Sequence, residues 1–311
     1  MMSTGYIAIS YICNQFCSFC PCSKAERKYP FTLLDDLKKT VDEMIVSSCI
    51  DSIVVSGGEP TLHPEFIPFI RHLNERGLKV TILSNAERFD DDRLIADFVK
   101  SVAIDKVNVI TTIHSQLRDQ HESINGSVGS FTRTVNGLKK LVGNGVHVTV
   151  KHCLTRLNYK DLTEFYRFID SEFDQAVDIQ LCSIDYCGLT DENKYDHMVV
   201  FPDLAEYMEN MFDAYISDKE KGSSRKLYCI NMPLCSCDPY YWDYFAQKSE
   251  GYSGYSAPTS EGKSSYSENS EKNVGTFGIS CKECLAESIC AGTYYTAFEY
   301  FGDSIIKKYE K

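Results

Sequence analysis

Three things are scarce in this chain. No apolar run approaches the ~20 residues that a membrane-spanning helix needs, so no membrane partner is expected. The N-terminus, MMSTGYIAISYIC, has neither a basic stretch nor a small-residue cleavage site, which gives no secretory signal and a cytoplasmic location as the expectation. Positive charge is in deficit: 32 Lys and Arg stand against 44 Asp and Glu, a formal net charge of −12. A nucleic-acid binder normally shows a basic stripe, and only short clusters such as Lys307-Lys308 occur here, so RNA and DNA are not expected as the main partner. No internal repeat is present, and no separate recognition module is expected ahead of residue 6.

What the chain does have is cysteine. Fourteen occur in 311 residues, within an otherwise ordinary globular composition of 43% hydrophobic and 24% charged residues. In a reducing compartment such cysteines bind metal or act chemically more often than they form disulfides. Four fall in one ten-residue stretch: Cys13, Cys17, Cys20 and Cys22. Six follow position 228: Cys229, Cys235, Cys237, Cys281, Cys284 and Cys290. Cys49, Cys153, Cys182 and Cys187 are scattered and read as small buried hydrophobes, with Cys182 and Cys187 set apart because they lie near a strand end.

The first two-thirds alternate strand and helix signals. Strands are expected at 6–11, 52–56, 79–84, 106–113, 146–155 and 176–184. Helices are expected at 32–45, 64–77, 91–101, 131–145, 161–170 and 203–217, the first with Thr32 as N-cap and Asp35 three residues on. Six βα units of this kind imply a parallel sheet buried on both faces, either open or an incomplete barrel, with ligands at the C-terminal strand ends. From 249 to 273 the composition turns to Ser, Gly and Tyr without apolar periodicity, and a flexible loop or insertion is expected.

Cys13-x3-Cys17-x2-Cys20 follows the first strand directly. A structural zinc wants two paired-cysteine knuckles, and no second CxxC occurs before residue 281. Three thiolates on a short loop can instead hold three irons of a [4Fe–4S] cluster and leave the fourth open. After the second strand stands Ser56-Gly57-Gly58-Glu59-Pro60. Gly and Pro there also suit a plain strand-to-helix turn.

Together the two motifs resemble the radical S-adenosylmethionine (radical SAM) superfamily, with its CxxxCxxC and GGEP signatures. The resemblance implies a partial (β/α)6 TIM-like barrel over 1–220, followed by a cysteine-rich module over 221–311 that contains the 249–273 insertion. It implies that SAM fills the open iron, that Gly57, Gly58 and Glu59 receive its ammonium, that Phe19 packs near its adenine, and that Ser84 and Asn85 contact its carboxylate or ribose. Cys22 is then a bystander. His114, Lys151 and Asp185 are catalytic candidates at the barrel mouth, the last two on a period-two argument. The stretch at 113–131 resembles a strand-end loop of family members that act on peptides.

Near the C-terminus, Cys281-x2-Cys284-x5-Cys290, with an upstream cysteine, resembles the SPASM or twitch auxiliary-cluster modules of the same superfamily, as does the tail at 294–305. Cys235 is the expected fourth ligand, with Cys229 and Cys237 as rivals. Further downstream cysteines of the full SPASM pattern are missing, so one auxiliary [4Fe–4S] cluster is expected; four thiolates also suit a structural zinc. The resemblance implies reductive cleavage of SAM to a 5′-deoxyadenosyl radical, an external electron donor of flavodoxin or ferredoxin type, and hydrogen abstraction from a ribosomally made precursor peptide. The alternatives are a small-molecule substrate, such as a sugar or cofactor precursor, or a non-catalytic SAM- or redox-sensing protein.

Overall fold

The structure is a computed structural model that describes residues 3–173, 175, 177–246, 252–268 and 275–310. Strands and helices alternate as the apolar pattern requires: β1 (Thr4–Ser10), α1 (Leu34–Ser48), β2 (Ser52–Gly57), α2 (Phe66–Glu75), β3 (Lys79–Leu83), α3 (Asp92–Val99), β4 (Val107–Thr112), α4 (Arg118–Asn125), α5 (Ser130–Gly143), β5 (His147–Cys153), α6 (Leu162–Glu172) and β6 (Val177–Cys182). All six expected strands and six expected helices form within a few residues of the expected bounds, the last helix being α9 (Ala205–Glu220), reached after the short α7 (Leu189–Glu192) and α8 (Lys194–His197). Thr32 does not cap α1: Leu33 takes that position with no side-chain bond, and Thr32 is buried with its carbonyl held by His63 Nε2 at 2.8 Å.

The sheet does not stop at residue 220. A seventh strand, β7 (Leu227–Ile230), pairs in parallel with β6. On the far side, β8 (Gly254–Pro258) pairs in parallel with β1, and β9 (Ser264–Glu268) returns antiparallel to it. The strand order is β7-β6-β5-β4-β3-β2-β1-β8-β9, so the sheet among the described residues is mostly parallel and has β7 and β9 at its edges. The expectation of a loop over 249–273 is therefore corrected for its described part. The reason is tertiary: Tyr255 stacks on Tyr6 of β1 at 5.1 Å and Tyr252 packs on the same ring at 5.0 Å, so β1 has an apolar neighbour to pair with. Residues 249–251 and 269–273 of that stretch lie outside the described residues. A last helix, α10 (Tyr295–Phe301), follows the C-terminal cysteines.

The interior is continuous. Ile7, Ile9, Val55, Ile82, Val109, Val148 and Ile179 from successive strands are all buried, as are Leu37, Phe69, Phe98, Leu138 and Phe165 from the covering helices. Among the described residues no helix is long and apolar enough to cross a membrane.

Candidate active site

The C-terminal strand ends surround a cavity of about 260 Å³. The loop after β1 contributes Cys13, Cys17, Phe19, Cys20 and Cys22; the β2 end contributes Ser56, Gly57 and Gly58; the β3 end contributes Ser84 and Asn85. Thr112 and His114 follow from β4, Lys151 and Cys153 from β5, and Asp185 from beyond β6. Tyr294, from the C-terminal region, closes the set.

The cysteine loop is fixed by its backbone and by polar residues near it. Phe16 N and Ser18 N donate to the carbonyls of Asn125 and Ile124 at the end of α4, and Leu189 N donates to Cys20 O. The 113–131 stretch thus props the cysteine loop. Asn14 and Gln15 both donate to the buried Glu87 carboxylate, at 3.0 and 2.8 Å, and Glu87 pairs in turn with Arg133 at 2.6 Å. Arg27 donates to Gln15 O at 2.6 Å and lines the cavity beside Cys20. Glu87, Arg133, Arg27 and Tyr294 were not singled out from sequence. The two amide residues inside CNQFC were the available signal for a buried acid, but the acid itself lies 72 residues away.

Gly57 and Gly58 explain themselves sterically. Gly57 has φ +129, and a Cβ there meets Ser10 O at 2.0 Å; one on Gly58 meets Ile12 O at 2.3 Å. Gly58 N and Glu59 N donate to Ser10 O and Ile12 O, so the motif is zipped onto the backbone that leads into the cysteines. Glu59 itself does not line the cavity. Its carboxylate is buried and accepts from Thr61 N, Thr61 Oγ1, Ser84 Oγ and Asn85 N, at 2.6–3.0 Å. Burial pushes its pKa up, against the pull of those hydrogen bonds. The carboxylate is therefore a strut between the β2 and β3 ends, with three of the four hydrogen bonds on Oε1 and one, from Asn85 N, on Oε2. Ser84 and Asn85 do line the cavity, with side chains tied to Glu59 and Asn14.

His114 is buried, with Nε2 3.7 Å from Cys17 Sγ and Nδ1 without a partner. Burial holds its pKa well below the usual histidine value, helped by the neighbouring His121, His152 and His197. Phe19 is wedged edge-on between His114 and His197, at 5.1 and 5.4 Å between ring centres. Asp185 accepts from Thr296 Oγ1 at 2.6 Å. Lys151 keeps its charge strongly, because the sulfurs of Cys182 and Cys153 lie beside it and outweigh burial.

Cys13, Cys17 and Cys20 thus line one cavity and act on one another electrostatically, a soft donor set that suits an iron–sulfur cluster. Cys13 receives Gln15 N at 3.4 Å, and Cys20 is held toward thiolate by the Cys22 thiol and by Arg27. Among the described residues no three His, Cys, Asp or Glu side chains are gathered tightly enough to hold a single metal ion. A cube of four irons spreads its ligands further apart than the ~2.3 Å bonds of one zinc allow.

With this geometry in view, the comparisons with known proteins decide the family. The family model described as "Radical SAM superfamily" matches residues 7–169, more than half of the chain. The chain belongs to the radical SAM superfamily. Curated relatives named "Probable GTP 3′,8-cyclase" are similar to it: one from Saccharolobus islandicus is 27% identical over 185 residues, 59% of this chain and 57% of its own length. Another, from Sulfurisphaera tokodaii, is 23% identical over 237 residues, 75% of this chain and 72% of its own. The first of these alignments spans little more than half of the relative. Among solved structures, Streptococcus suis SuiB bound to precursor peptide SuiA matches with a TM-score of 0.59 at 18% identity, over 71% of this chain and 47% of that one. The anSMEcpe structure with bound AdoMet matches at 0.57 and 16%, over 73% and 61%. At such identities the likeness is one of fold. It is a likeness of the radical SAM fold, which agrees with the parallel α/β architecture expected from sequence. Membership makes the chain an enzyme of the SAM and [4Fe–4S] kind.

The second cysteine group lies outside this cavity. The charge of Cys290 and Cys281 acts on Cys235, and that of Cys290 and Cys284 on Cys281, raising both thiols. Cys290 receives backbone N–H from Leu234 and Gly292 at 3.4 and 3.3 Å and Cys284 from Tyr309 at 3.4 Å, while the Lys307 and Gly278 backbones favour the thiolates of Cys235 and Cys281. Cys237 and Cys229 are buried without such a donor among the described residues, and burial pushes both thiols up.

Proposed function

We propose that this enzyme modifies a ribosomally made precursor peptide by radical chemistry, with Cys13, Cys17 and Cys20 holding the SAM cluster and Cys235, Cys281, Cys284 and Cys290 holding one auxiliary [4Fe–4S] cluster. When bound, the first cluster and SAM supply a 5′-deoxyadenosyl radical. The protein's own part is to orient and to keep water out. The Gly57-Gly58 backbone, Ser84 and Asn85 form the SAM-facing wall, Phe19 offers an apolar surface for the adenine, and Lys151, Asp185 and Tyr294 face the substrate side. The domain division is a 1–220 catalytic unit and a 221–311 module that completes the sheet with β7 to β9 and bears the second cysteine group.

The observation that carries this reading is the single cavity shared by three cysteines of one loop, the Gly-Gly turn and Tyr294 of the C-terminal region. The peptide is supported by the folds of SuiB, solved with precursor peptide SuiA, and of anSMEcpe, solved with the Cp18Cys peptide. The second reading, a small-molecule substrate, is favoured by the relatives named GTP 3′,8-cyclase. Co-expression with any short peptide found encoded beside the gene, followed by mass measurement, separates the two: a mass change on the peptide supports the first. An unchanged peptide from cells whose purified enzyme cleaves SAM sinks it.

A further inference from the structure

One pair of cysteines is used by neither cluster site. Cys153 ends β5 and Cys182 ends β6, and the register of the two parallel strands places them side by side. Their sulfurs are 3.4 Å apart. Cys182 is fully buried, while Cys153 lines the cavity that also holds Cys13, Cys17 and Cys20. Lys151, two residues before Cys153 on the same face of β5, lines that cavity too, and the charge of both sulfurs favours its ammonium form. Sequence spacing hides the pair, because 29 residues separate its members.

We propose that Cys153 and Cys182 are a dithiol that gives a hydrogen atom to a carbon radical in this cavity and closes to a disulfide as it does so. The inference rests on the radical reading above and deepens it. An S–H bond is weaker than an aliphatic C–H bond, so hydrogen transfer from sulfur to carbon runs downhill. The Lys151 ammonium favours the pair with one of its two protons removed to solvent; the remaining proton lies on Cys182, which donates to Cys153 at 3.4 Å, and crosses that gap to Cys153 before transfer. Transfer from Cys153 breaks S–H and forms C–H. The Cys153 sulfur, now one electron short, bonds to the Cys182 sulfur, and the pair holds one surplus electron. That electron leaves to a one-electron acceptor of the iron–sulfur class, and a disulfide remains. A small dithiol restores the pair by thiol–disulfide exchange. Cys153 is then a catalytic residue, Cys182 and Lys151 are positioning residues, and the substrate outcome is replacement of one hydrogen by another at carbon, as in inversion of a stereocentre, instead of a cross-link.

The test needs no peptide. Reconstituted holoenzyme, freed of thiol reductant, is given SAM and titanium(III) citrate in D2O, quenched in acid and alkylated. The expected result is 5′-deoxyadenosine carrying one deuterium, with a disulfide joining tryptic peptide 152–156 to peptide 168–194. Cys153→Ala should lower the deuterated fraction of the 5′-deoxyadenosine that forms at least ~5-fold. Cys182→Ala should keep the label and lose the cross-link, and Cys187→Ala, on the same peptide, should keep both. Unlabelled nucleoside from wild type, or an equal label from Cys153→Ala, overturns the inference. Absence of the nucleoside altogether would bring down the radical reading instead. A second arm then decides: in dithiothreitol redox buffers the two thiols should be lost to alkylation together, and thiols that stay alkylatable in the oxidised buffer overturn the proposal.

Discussion

Cys13, Cys17 and Cys20 sit where strand ends converge, and Cys235, Cys281, Cys284 and Cys290 sit on loops beyond the sheet. In the first group the sulfurs face a cavity, and their loop is anchored through distant polar partners: Glu59, Glu87, Arg133 and the end of α4. In the second, the backbone amides of Leu234, Gly292 and Tyr309 point at the sulfurs of Cys290 and Cys284. Such N–H donors stabilise thiolate charge and tune a cluster. A site that must leave one iron for a ligand is open on one side and is braced from behind. A site that is closed by four thiolates has no such side and wraps itself in chain.

The comparison breaks most sharply on the first group. Cys13→Ala, Cys17→Ala and Cys20→Ala together should abolish 5′-deoxyadenosine formation, read by chromatography, and remove about four irons. Retained cleavage would end the assignment. Next comes the brace. Glu59→Ala leaves the buried donors of Thr61, Ser84 and Asn85 without an acceptor, at a cost of about 2–4 kcal/mol, read as a lowered urea midpoint. Glu59→Gln keeps the shape and most acceptor capacity and should recover part of the loss. A variant as stable as wild type would show that the strut is idle.

The second group should respond differently. Cys281→Ala or Cys290→Ala should remove the auxiliary iron and leave SAM cleavage within ~10-fold, while Cys237→Ser should change neither metal content nor cleavage. Zinc in place of iron in the purified protein would refute the auxiliary [4Fe–4S] assignment.

Much of this was legible because a parallel sheet announces itself in continuous apolar strands separated by helical periods. Six strands and the motifs at their ends could be placed from that alone. What was not legible depended on distance. The β8 segment, GYSAP, has the composition of a loop, and only the edge of β1 and the Tyr6 ring make it a strand. β7 is four residues long, too short for a periodic signal. The motif gives the position of Glu59 and not its partners; Ser84 and Asn85, 25 and 26 residues on, donate to its carboxylate. Cys153 and Cys182 are ordinary buried cysteines until two strands are laid side by side.

A pH series probes the bracing behind the first group. His121 and His152 are buried, and burial lowers each pKa from 6.5 to about 4. For a histidine depressed in the folded state, the stabilisation is complete above the unfolded value and is lost as pH falls toward the folded one. Stability should therefore decline between about pH 6.5 and pH 4, by roughly 1–3 kcal/mol per histidine. Urea midpoints of the cluster-free protein measure it, and His121→Gln should flatten the slope. A flat profile in the wild type would mean that these rings are reached by water.

The smallest effect is expected at Cys22, and it separates ligand from neighbour. Cys22 lines the cavity, and its thiol favours the thiolate form of Cys20. Proximity alone would make it a fourth ligand. The brace argues otherwise: a fourth thiolate on the same loop would close the iron that the open side of the cavity leaves for SAM. Serine keeps a donor toward Cys20, so Cys22→Ser should hold iron content and SAM cleavage within ~2-fold. Alanine removes that donor and should weaken the Cys20 thiolate slightly more. If the serine variant loses the cluster, Cys22 is a ligand, and one of Cys13, Cys17 or Cys20 has been misassigned.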